Sequence, residues 1–298
     1  MTSYTHLNRK TREAVIMPRE QRLAYARRSR WVPYERAIEI ESIIDDLLQM
    51  PVDERVSNLL IFGSADSGKT ELSKHYFRKH LPKDRSDGEG IEAPVIWVEA
   101  PSIPDEKEFY EEILTALRCP FKLTDGRLMK RAQVNTMIEQ LGIRLIIVDE
   151  FHNVLAGGGK TQAAFLAALK RMSNVMGIKF AMFGTQKALR VIESDEQLSS
   201  RFEIEPLPKW RRDAHFQRLL VNFERQLPLK EPSKLHQPEL AEWLFDQSEG
   251  MIGELSRTLR KATVHAISHG REQIDIDTLK SLKRLSPSAR RKHARDGY

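Results

Sequence analysis

Residues 63–70 have the sequence Gly63-Ser64-Ala65-Asp66-Ser67-Gly68-Lys69-Thr70, which matches the pattern G-x-x-x-x-G-K-[ST] in full. The apolar run 58–62 (NLLIF) precedes this motif, and a helical pattern over 71–80 follows it. This context predicts a strand, a phosphate-binding loop and a helix, because glycines let backbone N–H groups curl around a phosphate. The predicted nucleotide contacts are Gly63, Ser64, Ala65, Asp66, Ser67, Gly68, Lys69, Thr70 and Glu71.

Two side chains of this loop have distinct predicted roles. Lys69 is expected to reach the β- and γ-phosphates of ATP, and so to take part in catalysis. The Thr70 hydroxyl is expected to bind Mg²⁺.

The apolar run 145–148 (LIIV) ends in two adjacent acids, Asp149 and Glu150. Such a run is typical of a strand buried on both faces, and open α/β sheets bind ligands at the carboxyl ends of their strands. We expect Asp149 to bind Mg²⁺ through a coordinated water, and Glu150 to act as the base that polarises attacking water. An acidic helix cap is the structural alternative.

The rest of the chain favours an α/β fold with a parallel sheet flanked by helices. Apolar runs at 95–100 (VIWVEA) and 179–183 (KFAMF) alternate with helical patterns at 34–50, 106–117, 128–141 and 162–176. After Pro208 only helical patterns follow, at 210–225, 238–248, 254–268 and 278–285. The predicted organisation is a basic N-terminal arm (1–30), a nucleotide-binding core (31–208), a helical lid subdomain (209–285) and a basic C-terminal tail (286–298).

Composition sets the class of protein. Hydrophobic residues are 40% and charged residues 30% of the 298 positions, which is an ordinary globular balance. No apolar run approaches the roughly 18 residues of a membrane span, and the N-terminus lacks the apolar stretch of a secretory signal. Cys119 is the single cysteine, so an intrachain disulfide and a thiolate metal cluster are excluded. We expect a cytoplasmic protein.

The net charge of +6 is unevenly distributed. Positions 9–30 hold eight Arg or Lys and only two acids, and the C-terminal tail adds four more basic residues. Such arms can neutralise DNA phosphates, although solvated, disordered tails are an equal alternative.

Three further positions are candidates for sensing the nucleotide. Thr185, with Gln186 as second choice, follows the run 179–183, where a polar side chain could contact the γ-phosphate; a plain turn is the alternative. Arg201 ends a polar helical stretch from Ser194, and an arginine can stabilise a γ-phosphate across a subunit boundary; a solvated surface arginine is the alternative. From the lid, either Arg257 or Arg260 could reach the nucleotide, although both could equally be exposed arginines of an amphipathic helix.

Longer strings of this sequence resemble the TniB and TnsC family of AAA+ transposition regulators, and the TniB branch most closely. The resemblance runs from Trp31 to about Gly270. Beside the phosphate loop it rests on 148–157 (VDEFHNVLAG), 183–185 (FGT), 194–198 (SDEQL), Arg201-Phe202, 206–210 (PLPKW) and 249–255 (EGMIGEL).

The resemblance implies an AAA+ core that binds ATP and forms a ring or helical filament on double-stranded DNA. It also implies contacts with a DDE transposase (TniA/TnsB-like) and a TniQ-like target-selection protein. It makes Arg201 the inter-subunit arginine and supports Thr185 as sensor. Its DNA contacts carry over to Lys107, Lys122 and Thr124, where the family motif matches poorly.

Two alternatives remain. A P-loop small-molecule kinase would work as a monomer and need an acceptor substrate, whereas the ATPase would need neighbouring subunits and respond to DNA. A non-hydrolysing, nucleotide-gated scaffold would not need Glu150.

Overall fold

The computed structural model describes residues 4–51, 58–194 and 196–296. The chain forms two compact units. The sheet unit consists of Arg36–Ala65 and Lys69–Pro208, and the helical unit consists of the chain up to Glu35, the loop tip Asp66–Gly68, and the chain from Lys209 onward.

The strands belong to the sheet unit. In chain order they are β1 (Asn58–Gly63), β2 (Lys83–Asp84), β3 (Ile91–Glu92), β4 (Val95–Glu99), β5 (Leu145–Asp149), β6 (Lys179–Gly184) and β7 (Phe202–Leu207). Five of them form a parallel sheet in the order β4-β5-β6-β1-β7, and β2 pairs with β3 in an antiparallel hairpin. Because β6 lies between β1 and β5, the carboxyl ends of these three strands stand side by side.

Every residue of β5 and β6 is buried, as the continuous apolar runs predict for central strands covered on both faces. The sheet packs on an apolar core that includes Phe109, Phe165 and Met172. The edge strand β7 was not predicted. Its sequence, FEIEPL, carries two acids and Pro206, and a proline is compatible with a strand at the edge of a sheet.

The helices agree with the predicted segments to within a few residues, with several additions. In chain order they are α1 (Arg9–Val15), α2 (Arg19–Arg27), α3 (Glu35–Gln49), α4 (Lys69–Lys79), α5 (Glu106–Ala116), α6 (Arg127–Leu141), a 3-10 helix (Phe151–Ala156), α7 (Gly159–Met176), α8 (Gln186–Glu193), α9 (Glu196–Ser199), α10 (Ala214–Glu224), α11 (Pro238–Ser248), α12 (Ile252–Ser268), α13 (Ile276–Ser281) and α14 (Pro287–Asp296). The helices α1, α2, α8 and α14 were not predicted.

The division predicted after Arg30 differs from the structure, because the N-terminal segment folds with the C-terminal helices. Arg22 on α2 is buried and donates to Glu272 at 2.6 Å, and the Asn8 amide donates to the Arg225 carbonyl at 2.9 Å. The predicted basic arm is therefore part of the helical unit. The residues that this segment contacts lie more than 200 positions away in the chain, so a local sequence pattern does not predict these contacts.

Most of the predicted C-terminal tail is also helical. In α14, the Ser288 amide donates to Glu249 at 2.7 Å, and Arg290 donates to Glu254. Within the three described ranges of the chain, no helix combines the length and apolar character that crossing a membrane requires.

Candidate nucleotide-binding site

The phosphate loop connects β1 to α4. Asp66 and Gly68 have left-handed backbone conformations, with φ of 59° and 92°. At Gly68 a Cβ would also lie 3.0 Å from Ile252, so both the conformation and the space require glycine there. The chain thereby turns sharply into the N-terminus of α4, where unpaired N–H groups favour an anion.

Lys69 is buried, and its ammonium lies inside the loop. Its Nζ donates to the carbonyls of Ser64 at 2.7 Å and Gly63 at 3.1 Å. The cation is thus held by the loop that is predicted to wrap a phosphate. Thr70, the next residue, is exposed at the start of α4.

Asp149 and Glu150 lie at the carboxyl end of β5. Asp149 is only 2% exposed, and its Oδ1 accepts the Glu150 amide at 2.9 Å. Within the described residues it forms no ion pair, and a buried carboxylate without a cation is unfavourable. Asp149 therefore suits a metal ion such as Mg²⁺, and the loop motif predicts the Thr70 hydroxyl as a second group that would hold it.

Glu150 adopts a left-handed conformation, with φ of 54°, directly before the 3-10 helix. Its side chain is 40% exposed, so the carboxylate can meet solvent water. The Nδ1 atom of His152 lies 3.1 Å from Glu150 Oε2 without the alignment of a hydrogen bond. His152 is a neighbour that the sequence analysis did not select.

Thr185 follows β6, between the phosphate-loop strand and the strand of Asp149. Its Oγ1 is enclosed and has no hydrogen-bond partner in the part of the chain that the structure describes. Leaving an enclosed hydroxyl unsatisfied costs about 1–3 kcal/mol, so a ligand oxygen would be favourable there. Gln186, the second choice, is exposed.

Arg201 stands directly before the edge strand β7. Its carbonyl accepts the Asn58 amide at 2.7 Å, and its guanidinium donates to Asn174 at the end of α7. None of its hydrogen bonds in the described chain involves the phosphate loop or Asp149. Of the polar stretch before it, α9 covers Glu196–Ser199, and Asp195 lies outside the described residues.

The two candidate lid arginines have different hydrogen-bond partners in the helical unit. Arg257 on α12 donates to Asp66 at the tip of the phosphate loop and to Glu254, both at 2.7 Å. Arg260 instead donates to the Arg27 carbonyl at 3.2 Å. The structure therefore brings Arg257, and not Arg260, to the loop.

Asp66 and Glu254 together hold Arg257. The hydrogen bond to Asp66 is the main reason that the pKa of Arg257 is raised. Burial alone would raise the pKa of Glu254, but hydrogen bonds from Arg257, Arg290 and Arg284 outweigh burial and lower this pKa to about 2. Glu254 is thus a buried, ionised carboxylate bound by three arginines.

The start of α12 packs closely on the same loop tip. The Gly253 amide donates to the Asp66 carbonyl at 3.0 Å, and a Cβ on Gly253 would lie 3.0 Å from Asp66 Oδ1. Two aromatic residues without a predicted role also belong to the helical unit. The rings of Tyr34 and Trp210 pack edge to face at 5.2 Å, and a Cβ on Gly68 would be 3.8 Å from the Tyr34 hydroxyl.

The residues proposed to contact DNA are brought together in the sheet unit. Lys107 Nζ donates to the Leu123 carbonyl at 3.0 Å, so it adjoins the loop that carries Lys122 and Thr124. Both of these residues are exposed. The Lys122 amide donates to Asp125 at 3.0 Å, which fixes the turn of the loop.

The strand order, the phosphate loop after β1 and the acid pair on β5 define a P-loop ATPase fold of the AAA+ class, with a helical C-terminal part. The family described as Bacterial TniB protein matches residues 22–212, which is more than half of the chain. The chain belongs to the TniB family.

Solved structures of other proteins have a similar fold. Cdc6p from Pyrobaculum aerophilum has a TM-score of 0.63 and 15% identity, covering 87% of this chain and 70% of its own. The ADP form of the Aeropyrum pernix ORC2 protein has a TM-score of 0.62 and 18% identity, covering 86% and 70%. The Aeropyrum pernix ORC1 protein in complex with DNA has a TM-score of 0.59 and 14% identity, covering 91% and 68%. Among curated proteins, none matches this sequence.

Proposed function

We propose that this chain is an ATP-hydrolysing, Mg²⁺-dependent regulator of DNA transposition. It assembles as a ring or filament on double-stranded DNA and links a TniQ-like target-selection protein to a DDE transposase. The observation that carries the ATPase part is the buried Asp149, which pairs with no described cationic side chain and stands beside Glu150 at the sheet end that also carries the phosphate loop. Membership of the TniB family supports the part concerning transposition.

Each polar group of the site has a role in this proposal. Asp149 and Thr70 would hold Mg²⁺, which would neutralise charge on the phosphates. Lys69 exchanges the carbonyls of Gly63 and Ser64 for phosphate oxygens. Glu150 accepts the proton of the attacking water, for which its exposed carboxylate is available.

Two further residues respond to the γ-phosphate in this proposal. The enclosed, unsatisfied hydroxyl of Thr185 donates to the γ-phosphate or the attacking water. Arg257 contacts the nucleotide from the helical unit, where Asp66 already holds it at the loop tip.

Arg201 acts on the nucleotide of a neighbouring subunit. This role is supported by its position before an edge strand and by its hydrogen bonds, which do not involve its own phosphate loop. Hydrolysis would then require assembly of several subunits.

DNA binding is assigned to the loop 121–126 and to Lys107, which is bonded to that loop. The exposed Lys122 can neutralise a phosphate. A protein of the same fold, the Aeropyrum pernix ORC1 protein, has been solved in complex with DNA, which is compatible with this assignment.

The variant Glu150→Gln tests the proposal. The amide preserves the shape of the side chain but is a poor base, so ATP stays bound, hydrolysis stops, and assemblies on DNA last longer in ATP. The matched control is Glu139→Gln, at an exposed position of α6. Hydrolysis by Glu150→Gln at the parental rate would contradict the catalytic assignment.

The same assays separate the ATPase from a small-molecule kinase. If the chain is the proposed ATPase, its ATP turnover should change when duplex DNA is added. Turnover per subunit should also rise with protein concentration, because a neighbouring subunit must supply Arg201. Turnover by monomers that needs an acceptor substrate and ignores DNA would favour the kinase.

A further inference from the structure

A basic groove of about 630 Å³ lies in the helical unit. It runs along α12 between the end of α2 and the residue after α13. Its basic side chains are Arg27, Arg257, Arg260, Lys261, His265 and His269. Within the described parts of the chain, none of its lining residues is acidic.

Two cations of this basic groove, Arg27 and Lys261, differ from several others in the same unit, which are neutralised. Arg257 of the groove is itself held by Asp66 and Glu254. Arg22 pairs with Glu272, and Arg284 and Arg290 pair with Glu254. In the groove, by contrast, the side chains of Arg27 and Lys261 form no hydrogen bond or ion pair with any described residue.

Only part of the Arg260 guanidinium group is hydrogen-bonded within the described chain. Its Nη1 donates to the Arg27 carbonyl at 3.2 Å, while its Nε is enclosed and without a partner in the described chain. Burial, together with the charges of His269 and Arg271, lowers the pKa of His265. Neighbouring positive charges repel one another, so a bound anion would stabilise the groove.

The spacing of these groups favours a long anion over a small one. Arg257, Lys261 and His265 on α12, and His269 directly after it, are four residues apart, so they form a slowly turning row with steps of about 6 Å and a length of about 18 Å. Phosphates recur every 3.4 Å along each strand of duplex DNA, so several can lie beside such a row. Among the described lining residues, only Val264 and Leu282 are large and apolar, whereas six are basic residue types, so the charge of the groove favours an anionic partner.

We propose that the basic groove binds the phosphate backbone of duplex DNA, as a second contact surface of each subunit. This inference rests on the proposed function, because it assumes a protein that binds DNA. It adds a location on the helical unit, where Arg27 and Lys261 contact phosphates without reading base sequence.

The test compares two double variants in DNA-binding titrations over a range of salt concentrations. Arg27→Ala with Lys261→Ala removes two groove cations, and Arg225→Ala with Lys234→Ala removes two exposed cations of the same unit outside the groove. Each lost phosphate contact reduces the slope of log affinity against log salt by about 0.9, so the groove variant should lose about 1.8. Its affinity should fall on the order of tenfold at moderate salt, while the control keeps both the slope and the affinity. Both variants should keep the basal ATP turnover measured without DNA.

A second measurement uses the parental protein. Bound duplex DNA should protect Lys261 from an amine-acylating reagent and leave Lys234 reactive, as mass spectrometry would detect. If parental protein binds DNA but the groove variant matches the control and Lys261 stays reactive, the groove inference is wrong and the proposed function stands. If parental protein does not bind duplex DNA, both are wrong. If the groove variant loses only binding to polyglutamate or single-stranded RNA, the groove serves another ligand and the inference is overturned.

Discussion

The substitution Glu254→Gln removes the single negative charge that three arginines share. Glu254 is 3% exposed and receives hydrogen bonds from Arg257, Arg284 and Arg290. Its pKa falls from an ordinary 4.5 to about 2. Each pKa unit corresponds to about 1.4 kcal/mol, so the ionised carboxylate contributes about 3 kcal/mol to the free energy of unfolding at neutral pH. The variant should lose about this amount at pH 7.

The pH dependence follows from the direction of this pKa change. Because the folded-state pKa is lower than the unfolded-state pKa, the unfolded chain takes up the proton first as pH falls. The contribution is therefore complete above about pH 4.5 and is lost progressively as pH falls towards 2. The stability difference between parental protein and Glu254→Gln should be constant between pH 7 and 5 and should shrink below pH 4.5.

Urea unfolding followed by tryptophan fluorescence measures this difference at a series of pH values. Glu239→Gln is the matched control, since Glu239 is exposed on α11 in the same unit. Equal stability of Glu254→Gln and Glu239→Gln at pH 7 would refute the reasoning. A difference that stays unchanged below pH 4 would refute its electrostatic origin.

Three further substitutions test the site and its packing. Lys69→Ala should lose ATP affinity in calorimetry, because the γ-phosphate loses its main cation; full-strength binding would contradict the loop assignment. Arg201→Ala should keep ATP binding but lower hydrolysis by a factor on the order of 10³, and mixing it with Glu150→Gln should restore turnover. Mixed assemblies that form without regaining activity would exclude action across subunits. Gly253→Ala should destabilise the protein by about 1–3 kcal/mol in thermal unfolding, because its methyl group would lie 3.0 Å from Asp66 Oδ1. Gly126→Ala is the neutral control, because a Cβ added there would meet no described atom within 4 Å. Equal melting temperatures of the two variants would argue against tight packing at Gly253.

The elements that the sequence predicted correctly are those whose signal is contained in one short segment. The run 145–148 is apolar because β5 is buried on both faces, and the sheet confirms this interpretation. The edge strand β7 lacks such a run, since its exposed positions carry Glu203 and Ile204 and its register comes from pairing with β1. Sequence patterning therefore predicted the four strands β1, β4, β5 and β6 and missed the edge strand β7.

The candidate site shows the same division. Lys69, Thr70, Asp149 and Glu150 were selected because the phosphate loop and the acid pair are contiguous motifs. The carboxyl ends of parallel strands then bring these motifs to the same end of the sheet. Glu254 could not be selected in this way, because an acid in a helical pattern is usually exposed.

By itself, the sequence determined the AAA+ class, the central strands and the family, because each is encoded in local patterns of a few residues. Only the tertiary structure decided that Arg257, and not Arg260, meets the phosphate loop, through a hydrogen bond to a residue 191 positions away. It also decided that the basic N-terminal segment is folded, through an ion pair between Arg22 and Glu272, 250 positions apart. An arginine looks the same in the sequence whether it is exposed or paired, because its partner is chosen by the packing of helices that are distant in the chain.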